Sequence, residues 1–204
     1  MITIVNYGVG NLGSIQNMLK KVGHPSRISC DADEIASADK LILPGVGAYD
    51  AGMRQLNNSG LVPAILHAAQ VRRVPLLGIC LGMQLLARGS EEGQLPGLGL
   101  IDADVRRFRF APESGLKVPH MGWNVVRKAK VSPLLDENEE EVRFYFVHSY
   151  FVQCAHREDV LLTATYGHDF DAAFARDNIL GVQFHPEKSH KFGMGLLRNF
   201  AQTL

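Results

Sequence analysis

Cysteine is scarce in this chain: three in 204 residues, Cys30, Cys80 and Cys154. The number is odd, the spacing wide, and no CxxC or zinc-ligand rhythm is present. Neither a disulfide framework nor a structural metal is expected, and a reducing cytoplasm suits such a chain. Charge of one sign is not in excess: Lys plus Arg (21) equals Asp plus Glu (21). No general field draws nucleic acid or anionic lipid, so neither is expected as a partner. Long apolar runs are missing too, because the longest, residues 74–87, contains Gln84 and falls short of the roughly 20 residues of a membrane span. The start, Met1-Ile2-Thr3-Ile4-Val5-Asn6, lacks the basic region and cleavage pattern of a secretory leader and reads as a strand. What remains is 46% hydrophobic and 21% charged, the balance of a globular protein that builds its core without staples.

Residues 2–7 are a β-branched run closed by Gly8, and Leu12, Ile15, Leu19 and Val22 follow at helical spacing. Residues 27–30 read as a second strand, 33–38 as a short helix, and 40–43 as a third strand ending at Pro44-Gly45. Helices are predicted over 48–56 and 61–72, separated by Asn57-Asn58-Ser59-Gly60. Residues 75–80 form a continuous apolar run, as in a strand buried on both faces, and Met83, Leu85 and Leu86 open a helix directly after it. This alternation predicts a doubly wound α/β fold, a mostly parallel sheet flanked by helices, with ligands at the carboxyl ends of the strands near Gly8, Gly45 and Cys80. Past Leu98 the texture becomes strand-rich, with runs at 105–110, 122–127, 144–154, 161–166 and 181–184, and Phe192, Leu196, Leu197 and Phe200 close the chain with an amphipathic helix. One domain over residues 1–204 is expected. The charged runs 106–109 and 136–141 read as a solvated strand face and a solvated turn rather than docking patches.

Gly78-Ile79-Cys80-Leu81-Gly82 sits where the buried strand meets its helix. That is the setting of a nucleophile elbow, in which glycines two residues either side let strand and helix backbones approach too closely for a Cβ. The following helix aims its N-terminus at the sulfur and favours the thiolate. Cys30 and Cys154 have no such setting and read as packing residues. A cysteine nucleophile needs a base that returns a proton to the leaving group, and His185 follows an apolar strand and precedes Pro186-Glu187. On an extended segment His185 and Glu187 share a face, so the carboxylate can orient the ring. Gly45-Val46-Gly47 ends the neighbouring strand, and backbone N–H groups at Val46 and Gly47, with that of Leu81, are candidates to hold an oxyanion. A metal site of Cys80, His185, Glu187 and His190 is disfavoured, because Pro186 opposes the helix that would stack ligands.

A competing reading lies at the N-terminus. Gly8-Val9-Gly10-Asn11-Leu12-Gly13 is a literal G-x-G-x-x-G between strand and helix, with Asp31 ending the next strand. That is the dinucleotide fingerprint in context. It leaves the elbow and His-x-Glu unexplained, so no cofactor is expected.

The cysteine elbow, the Pro-Gly-x-Gly turn and a late His-Pro-Glu, in this order, resemble the triad-type class I glutamine amidotransferases. Asn6 to Asn11, Pro119-His120-Met121-Gly122-Trp123-Asn124, Phe146-Val147-His148-Ser149-Tyr150 and Gln183-Phe184-His185-Pro186-Glu187-Lys188-Ser189 resemble the branch serving histidine biosynthesis. The likeness implies that Cys80, His185 and Glu187 hydrolyse L-glutamine to glutamate and ammonia. It assigns Gln84 and the backbone of Gly47, His148, Ser149 and Tyr150 to substrate recognition. It also implies a separate (β/α)8-barrel cyclase subunit that takes the ammonia, facing Asn11, Trp123, Asn124 and Lys188, and moves the glycine-rich loop to the partner-facing rim. A cysteine peptidase or γ-glutamyl hydrolase on the same scaffold shares the triad but needs no partner.

Overall fold

The computed structural model describes residues 1–135 and 141–203. The acidic run 136–141 therefore lies, but for Glu141, outside the described residues. The first part of the chain alternates strand and helix: β1 (Ile2–Val5), α1 (Leu12–Lys21), β2 (Ser26–Ser29), α2 (Ala32–Ala36), β3 (Lys40–Leu43), α3 (Tyr49–Asn58), α4 (Val62–Leu66), β4 (Leu76–Ile79) and α5 (Leu81–Leu85). A π-helical turn, His67–Val71, continues α4. Then come β5 (Gly89–Ser90), β6 (Ala103–Arg107), β7 (His120–Lys128), β8 (Val142–His148), β9 (Tyr150–Cys154), β10 (Val160–Tyr166), β11 (His168–Arg176), β12 (Ile179–Val182) and α6 (His190–Thr203).

The strands join one sheet in the order β2-β1-β3-β4-β12-β11-β10-β7-β8. From β2 to β12 every pairing is parallel, and from β12 to β8 every pairing is antiparallel. A side layer of β9, β6 and β5 branches from β11. The parallel strands read as continuous apolar runs because both faces are covered. In β3, Leu41 and Leu43 enter one core with α2, α3 and α4, whereas Ile42 enters a second core with α1 and α6.

The doubly wound expectation agrees with this architecture, with several local differences. Residues 168–176 form β11, one of the longest strands, although no strand was predicted there. Its His168-Asp169-Phe170-Asp171-Ala172-Ala173 opening is charged and alanine-rich, poor in β propensity, and pairing with β10 and β12 supplies what propensity lacks. The predicted run 144–154 divides at Ser149: β8 pairs with β7 while β9 crosses to β6 and β11. Cys30 is exposed, so it is not the packing residue the sequence suggested, because it follows edge strand β2; Cys154 is buried. The basic run 106–109 is neutralised locally, Arg106 by Asp104 (3.2 Å) and Arg109 by Glu91 (3.0 Å). No helix among the described residues is long and apolar enough to cross a membrane.

Candidate active site

The turn from β4 into α5 is made at Cys80, whose φ of 54° and ψ of −111° lie where a non-glycine side chain is strained by about 1–3 kcal/mol. The flanking glycines explain how the turn closes. A Cβ on residue 78 would lie 2.7 Å from Met83 Cα, and one on residue 82 only 1.8 Å from the carbonyl oxygen of Leu43. The second contact involves the end of β3 rather than the elbow's own strand, so three backbone segments converge beneath the cysteine. With five residues, α5 has little dipole to offer. The charge facing the sulfur comes from His185.

Topology brings that histidine in. The strand β12 returns next to β4 in parallel register, Val182 opposite Ile79, and the Cys80 N–H donates to the carbonyl of Val182 at 2.8 Å. Cys80 and residues 183–185 therefore leave the sheet at the same carboxyl edge. The His185 N–H donates to the Tyr145 carbonyl on β8 (2.9 Å), and the Ser189 hydroxyl donates to the His185 carbonyl (2.6 Å). Pro186–Lys188 is a 3-10 turn, so Glu187 reaches the ring by turning back, not by the extended-strand alternation expected from the sequence. Glu187 Oε1 lies 2.8 Å from His185 Nδ1, and both side chains are 2% exposed. Burial disfavours the imidazolium, but hydrogen bonding and charge from Cys80 and Glu187 outweigh it and raise the His185 pKa to about 9. His185 Nε2 is buried without an ordinary hydrogen-bond partner; the Cys80 sulfur is the group close enough to influence it.

Both residues open on a cleft of about 480 Å³ lined also by Val46, Gly47, Leu81, Gln84, His148, Ser149, Tyr150 and Lys188. Among the described residues no backbone acceptor takes the N–H of Val46, Gly47 or Leu81. Gln84, 5% exposed, donates through Nε2 to the Tyr150 carbonyl (3.2 Å) and to Gln183 Oε1 (3.0 Å). The break between β8 and β9 is what brings the backbone of residues 148–150 to the cleft wall.

Sequence reasoning did not single out Tyr7, His120, Glu92 or Gln183. The buried Tyr7 hydroxyl donates to the Pro44 carbonyl at 2.7 Å and so holds the strand end leading into Val46 and Gly47. Burial, with the nearby Cys80, raises its pKa. Glu92 lines the cleft and accepts the N–H of Tyr49, at the start of α3 (2.9 Å). His120 Nδ1 lies 2.9 Å from His148 Nε2, and His148 Nδ1 lies 2.8 Å from the Tyr150 carbonyl. Burial lowers the His120 pKa to about 4; burial, with the His120 and His185 charges, lowers that of His148 to about 3. A signal was available for Tyr7 and Gln183, since each stands beside or just beyond a strand end.

Of the residues assigned to a partner face, Trp123 is 44% exposed on β7, between Met121 (63%) and Val125 (42%), and Lys188 reaches the cleft rim. Asn11 is exposed ahead of α1. Strand alternation turns Asn124 to the face opposite Trp123, where Nδ2 donates to the Thr165 carbonyl (2.9 Å) and approaches His120 Nε2 (3.3 Å). His190 stacks on Trp123 at 5.6 Å between ring centres, not in a set with Cys80. The glycine-rich loop is explained by packing, because a Cβ on residue 10 would lie 3.0 Å from Pro44 Cβ. The Asp31 carboxylate caps α2 at the Glu34 N–H (2.9 Å) and does not wait for a ribose.

The family model for class-I glutamine amidotransferases matches residues 3–204. The chain is 52% identical to the imidazole glycerol phosphate synthase subunit HisH 2 of Pseudomonas aeruginosa over 204 residues, covering all of both chains. It is 50% identical to the HisH 2 subunit of Methanococcus maripaludis over 200 residues, 98% of each. In structure it is similar to PurLQS from Thermotoga maritima, with a TM-score of 0.74 at 18% identity over 98% of this chain and 96% of that one. The chain belongs to the class-I glutamine amidotransferases, in the branch of the HisH subunits of imidazole glycerol phosphate synthase.

Proposed function

We propose that the chain, acting as one glutaminase domain, hydrolyses L-glutamine to L-glutamate and ammonia at Cys80 and delivers the ammonia to a cyclase subunit of imidazole glycerol phosphate synthase, in the cytoplasm, for histidine biosynthesis. The observation that carries this reading is the meeting of a strained, glycine-flanked cysteine and a buried His185–Glu187 pair on the adjoining ends of two parallel strands, over one cleft.

The chemistry follows from these positions. The imidazolium of His185 stabilises negative charge on the sulfur it faces. The sulfur attacks the carboxamide carbon, and the carbonyl oxygen takes the negative charge within reach of the N–H groups of Val46, Gly47 and Leu81. One such donor contributes roughly 3 kcal/mol to the transition state. As the tetrahedral intermediate collapses, His185 Nε2–H protonates the departing nitrogen and ammonia leaves a γ-glutamyl thioester. The neutral ring then takes a proton from water, the hydroxide attacks the thioester, and the sulfur leaves as glutamate forms. Glu187 holds Nδ1–H throughout, fixing the tautomer and supporting the charged ring. Gln84 and the backbone of Gly47 and residues 148–150 form the walls that receive the amino acid.

Ammonia released into water is protonated and lost, so a glutaminase of this kind works against a synthase. The relatives are named as synthase subunits, and the exposed strip of Met121, Trp123 and Val125 on β7, with Lys188 at the cleft rim and Asn11 exposed ahead of α1, supports a (β/α)8-barrel cyclase as the partner. A glutamine-like diazoketone, followed by peptide mass spectrometry with and without cyclase, tests the scheme. Label on Cys80 supports it; label elsewhere, or none under either condition, removes it.

A further inference from the structure

A buried amide next to the nucleophile has no part in the mechanism above. Gln183 follows β12 directly and is fully buried. Its Nε2 lies 3.8 Å from Cys80 Sγ, and among the described residues no oxygen or nitrogen accepts from it. A buried amide N–H whose surroundings offer only a sulfur, a weak acceptor, recovers little of the roughly 1–3 kcal/mol that its burial costs, so an apolar side chain would serve packing better than this one.

The direction of the amide is determined by its surroundings. A backbone carbonyl only accepts, so Gln84 must present its NH₂ to the Tyr150 carbonyl, 3.2 Å away. The second proton of that nitrogen then meets Gln183 Oε1 at 3.0 Å, which turns the Gln183 NH₂ to the sulfur. His148 Nδ1–H donates to the same carbonyl at 2.8 Å and anchors it from the other side. Reversing either amide would oppose oxygen to oxygen or nitrogen to nitrogen.

We infer that Gln183 is an electrostatic partner of the nucleophile: its side-chain N–H, aimed by Gln84 and the Tyr150 carbonyl, stabilises negative charge on the Cys80 sulfur. The contact is long in the resting enzyme and shortens as charge gathers on sulfur, as hydrogen bonds at reacting atoms do. The inference rests on the proposed role of Cys80 as the nucleophile and adds a donor different in kind from the imidazolium: neutral, and too weak an acid to transfer its proton to the sulfur.

The test reads the sulfur without glutamine. Alkylation of Cys80 by iodoacetamide is followed by peptide mass spectrometry from about pH 5 to about pH 10 for the wild type, Gln183→Glu and Gln183→Met. The titratable groups around the sulfur are His185 and Glu187 beyond β12, Tyr7 beyond β1, His148 at the end of β8, and Glu92 and Lys188 on the cleft wall; all are retained. Both variants are expected to alkylate about ten-fold more slowly near pH 7, with the profile displaced by about one unit to higher pH. Gln84→Leu, which frees the Gln183 amide to turn, is expected to fall between them and the wild type. Folded variants whose profiles superpose on the wild type overturn the inference. If the variants do not fold, the wild-type Gln183 side-chain amide resonances decide: they must shift over the pH range in which alkylation accelerates and lose that shift once Cys80 is alkylated, and indifference to alkylation overturns the inference. Glutamate release by the wild type is assayed in parallel, so failure of the glutaminase reading is seen separately from failure of the Gln183 contact.

Discussion

The two halves of the sheet solve different problems. In the parallel half, strands of four residues are buried on both faces and all point one way, so loops from residues 44–47, 80–81 and 183–187 converge on a single edge although up to about 140 positions separate them. In the antiparallel half the strands are longer, and β7 alternates buried and exposed residues. Its contribution is a wall, His148 to Tyr150, and an outer surface, Met121, Trp123 and Val125. Strand ends forced together gather Cys80 and His185 over one cleft, and a strand face left uncovered exposes a large apolar strip.

Substitutions on the two sides sharpen that contrast, and the largest effect is expected at the parallel edge. Cys80→Ala should lower glutamate release roughly 10⁴-fold or more while moving the urea midpoint little, since alanine keeps the Cβ and with it the same backbone strain. An unchanged rate would disqualify the elbow. Next come the glycines. Gly82→Ala drives a methyl into the Leu43 carbonyl and should destabilise by upward of about 3 kcal/mol. Gly122→Ala, on β7 at φ +130° with open space around it, should cost only about 1–2 kcal/mol of backbone strain. Equal losses in denaturant titration would contradict the difference in packing.

Titration of the histidines also divides the halves. On the antiparallel side the pKa values of His120 and His148 are lowered from 6.5 to about 4 and about 3. The unfolded chain then binds more protons than the folded one, so the contribution of these two rings is level above about pH 6.5 and stability falls as the pH drops from there through about 4 toward about 3. At the parallel edge the His185 pKa is raised to about 9. Its contribution is fully present below about pH 6.5 and is lost as the pH rises through about 9. Urea midpoints measured against pH should show a shallower acid loss in His148→Asn and a shallower alkaline loss in His185→Asn; the opposite assignment would refute the scheme. The smallest effect on the fold is expected at Trp123→Ala: stability changes by less than about 0.5 kcal/mol, while cyclase affinity measured by calorimetry falls about ten-fold or more. Unchanged affinity would move the partner face away from β7.

Much of the parallel half was legible in the sequence because its signals are local. A run such as Leu76 to Ile79 reports burial on two faces, and Gly78 and Gly82 report a backbone approach that any side chain would obstruct. The antiparallel half was harder to read. Strand β11 opens with two aspartates and two alanines, and only its neighbours make it a strand. The break at Ser149 follows from β9 changing partners, which no pattern within residues 144–154 records. That Trp123 and Asn124 point to opposite faces was not legible in a motif that lists neighbours along the chain, because a strand sends consecutive side chains to opposite faces.

Residue types and their spacing were enough to mark Cys80 as the end of a strand, to nominate His185 and Glu187, and to exclude disulfide staples, since each of these depends on local sterics or on composition. That β12 lies beside β4, that Glu187 turns back within a 3-10 turn, and that Gln84 aims Gln183 at the sulfur were decided by the tertiary structure. The first and third arise from strand pairing and hydrogen-bond direction between segments about a hundred residues apart, and the turn at Glu187 is local but opens where the chain leaves the sheet; no property of either distant segment alone specifies where the other will stand.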